Sequence, residues 1–322
     1  MPVMQPIIPP IPADVLASEL TRDKFVRHTN YGKNEIYIVT YHNAPNAVKE
    51  IGRLRELTFR YAGGGTGKPL DLDEFDTCEV PYKQLIVWSP EDKAIVGSYR
   101  YIRCKDAMLK NDILQLATVE LFEFSGKFMK DYFPYTIELG RSFVQPDYQP
   151  SSANRKGLFS LDNLWDGLGA LVVDNPDMKY FFGKVTMYRH FHLRARDLIL
   201  YFMKHYFPDK ENLVIPVEAL PMLHNMRRFG LRLKGKDYKD GHAILNQEVR
   251  SLGENIPPLV NSYMNLSSTM KTFGTCLNPE FGGVEETGIL VTIPDIYPSK
   301  KERHIDSYLK QKKKHPMFSP KQ

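Results

Sequence analysis

The sequence predicts a mixed α/β domain in which helices pack on a twisted sheet. Three observations predict this class. Several stretches place apolar residues every three or four positions, as buried helix faces do, and others are rich in β-branched and aromatic residues, as strands are. The two kinds of stretch follow one another along the chain, and 42% of the 322 residues are hydrophobic, which is sufficient for a substantial core.

Each predicted element rests on its own pattern. Residues 47–62 place Ile51 and Leu54 on one helical face and end at a run of glycines, so they predict a helix. Further helices are predicted at residues 126–132, 159–173, 190–207 and 256–270. Strands are predicted at residues 34–42, 83–88, 94–103, 180–188, 273–277 and 288–293.

The composition divides the chain into three parts. Residues 1–33 are rich in proline and predict an extended N-terminal arm, without the basic segment that begins a signal peptide. Residues 34–298 carry the predicted elements, with a charged and irregular insertion at about 209–253. Residues 299–322 form a basic C-terminal tail. No apolar run approaches the ~20 residues that a membrane-spanning helix requires.

Positive charge is concentrated in the tail. Residues 300–322 hold eight Lys or Arg and two acids, so the other 299 residues carry −1 of the net charge of +5. Such a tail predicts either solvated disorder or attachment to anionic lipid, where each basic residue contributes about 1 kcal/mol. A nucleic-acid partner is not expected, because no aromatic and basic platform accompanies the tail. Three scattered cysteines indicate a reducing compartment, with neither a disulfide framework nor a zinc site.

The stretch YTIELGRSFVQPDYQ at residues 135–149 is the centre of the predicted site. It begins as a strand and ends at Pro146, a strand breaker. Strand alternation places Glu138 and Arg141 on opposite faces, and a bulge at Gly140 would bring both to the same cleft. A carboxylate beside such a cleft can take a proton from an attacking amine. The alternative is a structural ion pair between the two side chains.

The motif E-L-G-R-S-x-V-x-P-x-Y in this stretch resembles the signature of the acyl-carrier-protein-dependent N-acyltransferases that make ornithine lipids and glycine lipids. These proteins are also labelled haemolysin-like and have the Gcn5-related N-acetyltransferase (GNAT) fold. The resemblance implies an α/β fold with a mixed twisted sheet, splayed central strands and flanking helices, and makes residues 34–298 the N-acyltransferase domain. It implies catalytic roles for Glu138 and Arg141, and contacts of Ser142 and Val144 with the acyl donor.

Further blocks resemble this family in the same order along the chain. Arg55 and Phe59 match an R-x-x-x-F pattern. Asp73 and Asp76 match the D-x-x-D that follows, and Arg100 ends a G-x-x-R strand. Later segments, LWDGLGALV, PPLVNSYMNL and FGTCLNPEFG, also resemble family blocks. The resemblance implies substrate-binding roles for the five numbered residues, which otherwise predict a core ring, an acidic loop and salt-bridge partners.

The turn at residues 151–159, SSANRKGLF, bears on the acyl donor. Coenzyme A users of this fold hold the pyrophosphate with a glycine-rich turn at a helix N-terminus. Here the turn has a single glycine, Gly157, preceded by Arg155 and Lys156. The three residues suit the single phosphate of a phosphopantetheine thioester on an acidic acyl carrier protein. The alternative is an ordinary basic loop.

The implied function is transfer of a (3-hydroxy)fatty acyl group from acyl carrier protein to the α-amine of ornithine or glycine, the first step of aminolipid synthesis. Neither a bound cofactor nor a metal is expected, since the spacing of His190 and His192 does not suit a metal site. One alternative is an autoinducer synthase that uses S-adenosylmethionine. Another is a non-catalytic module recruited to membranes by the tail. The expected location is the cytoplasm or the cytoplasmic face of the inner membrane.

Overall fold

The computed structural model describes residues 4–107, 109–110, 113–149 and 156–314. Its α-helices are Ala13–Glu19 (α1), Pro45–Tyr61 (α2), Glu74–Thr77 (α3), Ser160–Asp174 (α4), Leu193–Tyr206 (α5), Arg227–Leu233 (α6), Tyr238–Ser251 (α7), Pro258–Met264 (α8), Pro298–Lys301 (α9) and Ser307–Lys314 (α10). Its strands are Phe25–His28 (β1), Glu35–Val39 (β2), Lys83–Ser89 (β3), Ala94–Arg103 (β4), Leu109–Lys110 (β5), Ile113–Leu114 (β6), Phe122–Phe124 (β7), Thr136–Val144 (β8), Tyr180–Met187 (β9), Val214–Pro216 (β10), Lys271–Asn278 (β11) and Val284–Thr292 (β12). Within these ranges no helix is long and apolar enough to cross a membrane.

Eight of these strands form one sheet in the order β1-β2-β3-β4-β8-β9-β12-β11. Neighbouring strands are antiparallel except for β8 and β9, which run parallel at the centre. A parallel pair needs a crossover connection, and α4 lies in the one between β8 and β9. The predicted α/β class, a mixed sheet with flanking helices, is confirmed.

The two faces of the sheet bury separate apolar clusters. On one face, which we call the α2 side, Val48 and Ile51 of α2 pack with Ile86 of the sheet. On the other face, the α4 side, Leu164 and Leu168 of α4 belong to a larger cluster that includes residues of α5, α7 and α8. The 3.6-residue period of the helices and the 2-residue period of the strands bring these side chains together.

The sheet opens between β8 and β9. The two strands pair only over residues 136–139 of β8 and 180–183 of β9. Beyond Leu139, β8 continues along β4 to Val144, while β9 continues along β12 to Met187. The predicted splay of the central strands is therefore present, and it begins at the Leu139–Gly183 pair.

The N-terminal arm differs from the predicted extended segment. Helix α1 buries Leu16 in the cluster on the α2 side, and β1 pairs with β2 at the sheet edge. The Glu19 carboxylate accepts hydrogen bonds from the backbone N–H groups of Asn46 and Ala47 at the start of α2, where helix donors lack partners within the helix. The last proline of the arm, Pro12, directly precedes α1, a position that proline tolerates.

The insertion at residues 209–253 is also more regular than predicted. It contains β10, α6 and α7. Leu233 of α6 and Leu245 and Val249 of α7 are buried in the cluster on the α4 side. The last two are four residues apart, as on one helix face, but the many charged residues on the solvated faces concealed this spacing.

The basic tail is helical and packed as far as the structure describes it. A π-helical turn, Glu302–Asp306, and α10 lie against α4, and His304 and Tyr308 are buried. Gly169 of α4 makes this approach possible, because a Cβ there would lie 2.3 Å from the His304 carbonyl oxygen. The alternative of solvated disorder is therefore wrong for residues 299–314, and residues 315–322 lie outside the described part.

We expect Tyr308→Ala to lower the free energy of unfolding by about 3–5 kcal/mol, the range for removing a large buried aromatic side chain. Urea denaturation followed by circular dichroism measures this change. Leu309→Ala is the matched control, because its side chain is the next on the same helix and is 40% exposed. It should change stability by less than about 1 kcal/mol. Equal destabilisation by the two substitutions would contradict the packing of this face on α4.

Candidate functional site

A cavity of about 580 Å³ lies in the gap between β8 and β9. Its walls come from both faces of the sheet, so it passes between the parted strands. On the α2 side the lining contains the charged side chains of Arg141, Lys184 and Glu286, beside the rings of Phe59, Phe143 and Phe281. On the α4 side the lining is apolar and includes Leu139, Leu161, Leu164, Phe181, Leu259, Val260, Ile289 and Val291. Its volume is within the range of roughly 300–1,000 Å³ that is usual for ligand sites.

Strand β8 contains a β-bulge at Arg141 and Ser142. Between the pairs that Gly140 and Phe143 make with β4, β8 has one residue more than β4. The backbone of Arg141 lies in the left-handed region, with φ 48°, which is uncommon for residues other than glycine. The extra residue turns Arg141 to the α2 side, the face toward which Glu138 also points. The predicted bulge is therefore present, next to Gly140.

Four of the predicted substrate-binding residues form one buried ion network on the α2 side. Arg55 Nη1 lies 3.0 Å from Asp76 Oδ2. Arg100 Nη1 lies 3.1 Å from the same Asp76 oxygen and 2.7 Å from Asp73 Oδ2. The Gln84 side chain accepts a hydrogen bond from Arg55 and donates one to Asp76. Burial alone raises the pKa of Asp76, but the surrounding arginines outweigh burial and hold that pKa well below its usual value.

Arg141 extends this network to the cavity wall. Its Nε lies 2.9 Å from Asp71 Oδ2, and its Nη2 lies 3.9 Å from Asp73 Oδ2. Its guanidinium carbon is 4.2 Å from the ring centroid of Phe281. The rings of Phe281 and Phe59 pack edge to face with their centroids 5.0 Å apart, and both rings line the cavity. Burial raises the pKa of the Asp71 carboxyl.

The Glu138 carboxylate is buried beside the cavity. The hydroxyl of Tyr82 donates to Oε1 at 2.7 Å, and that of Thr118 donates to Oε2 at 2.7 Å. Burial raises the pKa of Glu138. Among the described residues the cavity lining includes its neighbours Leu139 and Gly140 but not Glu138, so contact with a ligand there would require a water. The role of Glu138 as a general base stays a prediction.

A second ion pair, which no sequence pattern predicted, lines the cavity. Lys184 Nζ of β9 lies 3.3 Å from Glu286 Oε1 of β12. The Thr186 hydroxyl donates to Glu286 Oε2 at 3.0 Å, and the Asn278 amide donates to Oε1 at 3.3 Å. The Lys184, Thr186 and Glu286 side chains lie on the α2 side, across the cavity from Arg141.

The predicted donor-binding residues divide into two groups. Ser142 and Val144 line the cavity. Gly157 lies in a 3-10 turn before α4, where a Cβ would be 2.1 Å from the Tyr148 carbonyl oxygen, so glycine is required there by close backbone packing. Arg155 and the Lys156 side chain lie outside the described part, and the donor contacts of all five residues stay predictions.

One group of side chains in the described ranges could bring three metal-ligand atoms together. It consists of Asp162, Asp166 and His304, away from the cavity. The Asp166 carboxylate accepts hydrogen bonds from the backbone and side-chain N–H groups of Asn30, and it lies 2.8 Å from His304 Nδ1. These contacts indicate a structural anchor for the tail.

Several residues of the site could not be found from the sequence. Four of them contact predicted residues: Asp71, Tyr82, Gln84 and Thr118. The other two, Lys184 and Glu286, line the cavity. Only Asp71 carried a signal, because it belongs to the same acidic loop as the D-x-x-D pattern.

We expect Asp76→Asn to lower the free energy of unfolding by about 3–5 kcal/mol at neutral pH, because it leaves Arg55 and Arg100 buried beside an uncharged group. Since the native pKa of Asp76 is lowered, its stabilising effect is present above about pH 4 and is lost as pH falls through the native pKa.

Chemical denaturation of the wild-type protein and Asp76→Asn, from neutral pH to below about pH 4, measures the difference in free energy of unfolding. Asp106→Asn is the control, because its partner Arg103 and its own carboxylate are partly solvated, and it should cost less than about 1 kcal/mol. A stability gap that stays constant down to low pH would show that Asp76 does not carry the charge assigned to it.

Comparison with known proteins places the chain in a family. Residues 54–156 match the model of the acetyltransferase (GNAT) domain. The chain is 52% identical over 309 residues to the glycine N(alpha)-acyltransferase of Phocaeicola vulgatus, covering 96% of this chain and 95% of the relative. It is 53% identical over 307 residues to the glycine N(alpha)-acyltransferase of Bacteroides thetaiotaomicron, covering 95% and 91%. No solved structure matches it. The GNAT fold is therefore confirmed, and the chain is an acyltransferase that belongs to the same N-acyltransferase family as these two proteins.

Proposed function

We propose that the chain transfers a (3-hydroxy)fatty acyl group from acyl carrier protein to the α-amine of glycine, as the first step of aminolipid synthesis. The observation that carries this proposal is the cavity between β8 and β9, which is charged on the α2 side and apolar on the α4 side. An acyl thioester placed between the strands has its carbonyl carbon near the gap. Its hydrocarbon chain then lies on the apolar side and the acceptor amine on the charged side.

The apolar side supports a fatty acyl donor over an acetyl donor. Each methylene buried there contributes about 0.8 kcal/mol, so a long chain gains binding energy that a short chain lacks. The proposed donor is the acyl thioester of acyl carrier protein. The reason is that the turn at residues 151–159 has one glycine in place of the glycine-rich turn that holds the pyrophosphate of coenzyme A.

The charges of the cavity support glycine over ornithine as the acceptor. Among the described residues that line it, the charged side chains are Arg141, Lys184 and Glu286. Glycine brings one ammonium and one carboxylate, whereas ornithine brings a second ammonium that would need a second buried carboxylate. Both relatives are glycine N(alpha)-acyltransferases by name, which also favours glycine.

In the proposed reaction the amine attacks the thioester carbonyl, a C–N bond forms and the C–S bond breaks. The glycine ammonium loses two protons; one ends on the departing thiol sulfur and the other reaches solvent. Glu138 accepts a proton through a water, with Tyr82 and Thr118 holding its carboxylate in place. A backbone N–H of β8 past Leu139, where pairing with β9 stops, stabilises the oxyanion.

The product is an amphiphile, and we propose that the enzyme works at the cytoplasmic face of the inner membrane. Lys310, Lys313 and Lys314 are exposed on α10, whose Tyr308 faces the domain. At about 1 kcal/mol for each basic residue, three lysines give a weak, salt-sensitive attachment to anionic lipid. Flotation with anionic vesicles at low and high salt, using the triple Lys→Gln variant for comparison, tests this attachment.

Acylation by the purified protein tests the main proposal. One long-chain 3-hydroxyacyl group is presented as the carrier-protein thioester and as the coenzyme A thioester, with glycine or ornithine, and the products are identified by mass spectrometry. We expect N-acylglycine, formed faster from the carrier protein. Absence of any N-acylglycine would overturn the proposed function, and a faster rate with coenzyme A would overturn the donor.

Glu138→Gln should reduce kcat at least about a hundredfold, the lower range for loss of a general base, while the protein stays folded. The amide keeps the size of the side chain, and thermal melting checks the fold. Glu123→Gln, at an exposed position of β7, is the control and should leave kcat unchanged. Near-normal turnover of Glu138→Gln would remove Glu138 from the proton transfer.

Leu259→Trp should shift the donor preference toward shorter acyl chains. Leu259 is half-buried and lines the apolar side of the cavity. Excluding two methylenes costs about 1.6 kcal/mol, so kcat/KM for a long-chain donor should fall about fifteenfold relative to a medium-chain donor. Leu252→Trp is the matched control, since that half-buried leucine packs against the same cluster outside the cavity lining. An unchanged ratio of the two kcat/KM values in Leu259→Trp would show that the chain does not lie there.

A further inference from the structure

We infer that Lys184 and Glu286 form the acceptor site, in which Glu286 binds the ammonium and Lys184 binds the carboxylate of a free amino acid. This inference rests on the proposed function and assigns residues that neither the motifs nor the comparisons point to. Both side chains line the cavity on the α2 side, where the acceptor must approach the thioester.

The two charges have the geometry that a zwitterion requires. Lys184 Nζ and Glu286 Oε1 are 3.3 Å apart, so each is within reach of a ligand that bridges them. The side chain of Glu286 is 2% exposed and that of Lys184 is 12% exposed. An amino acid inserted beside the pair adds one positive and one negative charge, which keeps the buried site neutral overall. Glycine fits this description because it brings both charges on one carbon.

The residues around Glu286 hold its carboxylate in position and leave part of its hydrogen-bonding capacity unused. Thr186 donates to Oε2 and Asn278 donates to Oε1, which fixes the plane of the carboxylate. Each carboxylate oxygen can accept about two hydrogen bonds, so Oε2, whose donor is the Thr186 hydroxyl, retains capacity for an ammonium donor. Glu138 differs because it lies outside the cavity lining.

A purely structural ion pair is the competing account, and it predicts different behaviour. A buried pair costs desolvation that its own attraction barely offsets, so replacing one partner destabilises the protein wherever the pair lies. Only an acceptor site also changes which ligands bind. The decisive readout is therefore discrimination between ligands that carry one charge or the other.

Comparing two acceptors, glycine and glycinamide, in the wild-type enzyme and in variants provides this readout. Glycine and glycinamide share the amine, but glycinamide lacks the carboxylate. The wild-type enzyme should prefer glycine in kcat/KM by about ten- to a hundredfold, the value of one charge-assisted hydrogen bond. Lys184→Met keeps most of the side-chain length and removes its charge, and this preference should disappear. Lys179→Met, at an exposed residue just before β9, should retain it.

Glu286→Gln tests the ammonium contact. It should raise the KM for glycine at least about tenfold. Glu285→Gln is the control, because the adjacent carboxylate pairs with Arg196 outside the cavity lining. Glycine binding to the acyl-free enzyme, measured by calorimetry, should weaken in parallel. If Glu286→Gln does not fold, Thr186→Val removes one support of the carboxylate and should raise the same KM.

The outcomes separate the two proposals. Failure of the wild-type enzyme to acylate glycine would overturn the proposed function. Wild-type acylation combined with an unchanged glycine preference in Lys184→Met would overturn the acceptor site alone, as would an unchanged glycine KM in Glu286→Gln or, where that variant does not fold, in Thr186→Val.

Discussion

The parting of β8 from β9 after Leu139 is the constraint on which the rest of the structure depends. Each strand keeps its other neighbour, so β4 and β12 satisfy the backbone while a gap opens at the centre of the sheet. A gap between two backbones is lined from both faces, and the faces differ in chemistry because side chains alternate along a strand. One opening therefore joins a charged compartment to an apolar one, without a loop or a second domain.

The ion network on the α2 side keeps this opening in shape. Arg141 lies at a bulge in an uncommon backbone conformation, which persists only where surrounding contacts impose it. Asp71 and Phe281 supply those contacts, and Arg100 and Asp73 connect them to the interior. Burying so many charges adds little net stability, but a set of charges that satisfy one another admits few other arrangements. The network therefore fixes where Arg141 points, which is what a site requires.

The sequence predicted the parts of the site that recur as patterns. Helical spacing predicted α2 and α4, strand composition predicted β3, β4 and β9, and the E-x-x-R stretch predicted β8 with its bulge. Lys184 and Glu286 were not predictable, because each is an isolated charge on a separate strand and only the register of β9 with β12 brings them together. The packing of the tail was not predicted for another reason. His304 and Tyr308 are two buried residues among many lysines, and an average composition hides such single positions.

The contacts of Arg27 tie the first strand of the sheet to the last helices of the chain. Its guanidinium donates to the carbonyl oxygen of His304 and to the hydroxyl of Ser307, residues separated from it by 277 and 280 positions. During synthesis β1 leaves the ribosome before the other strands of the sheet, and these acceptors follow 277 and 280 residues later. Strand β1 can pair with β2 early, but its contacts with the tail wait for the last helices, and contacts of such long sequence separation form slowly. In the meantime partial chains leave the Arg27 guanidinium without these two acceptors, and incompletely packed chains of this kind are prone to aggregate.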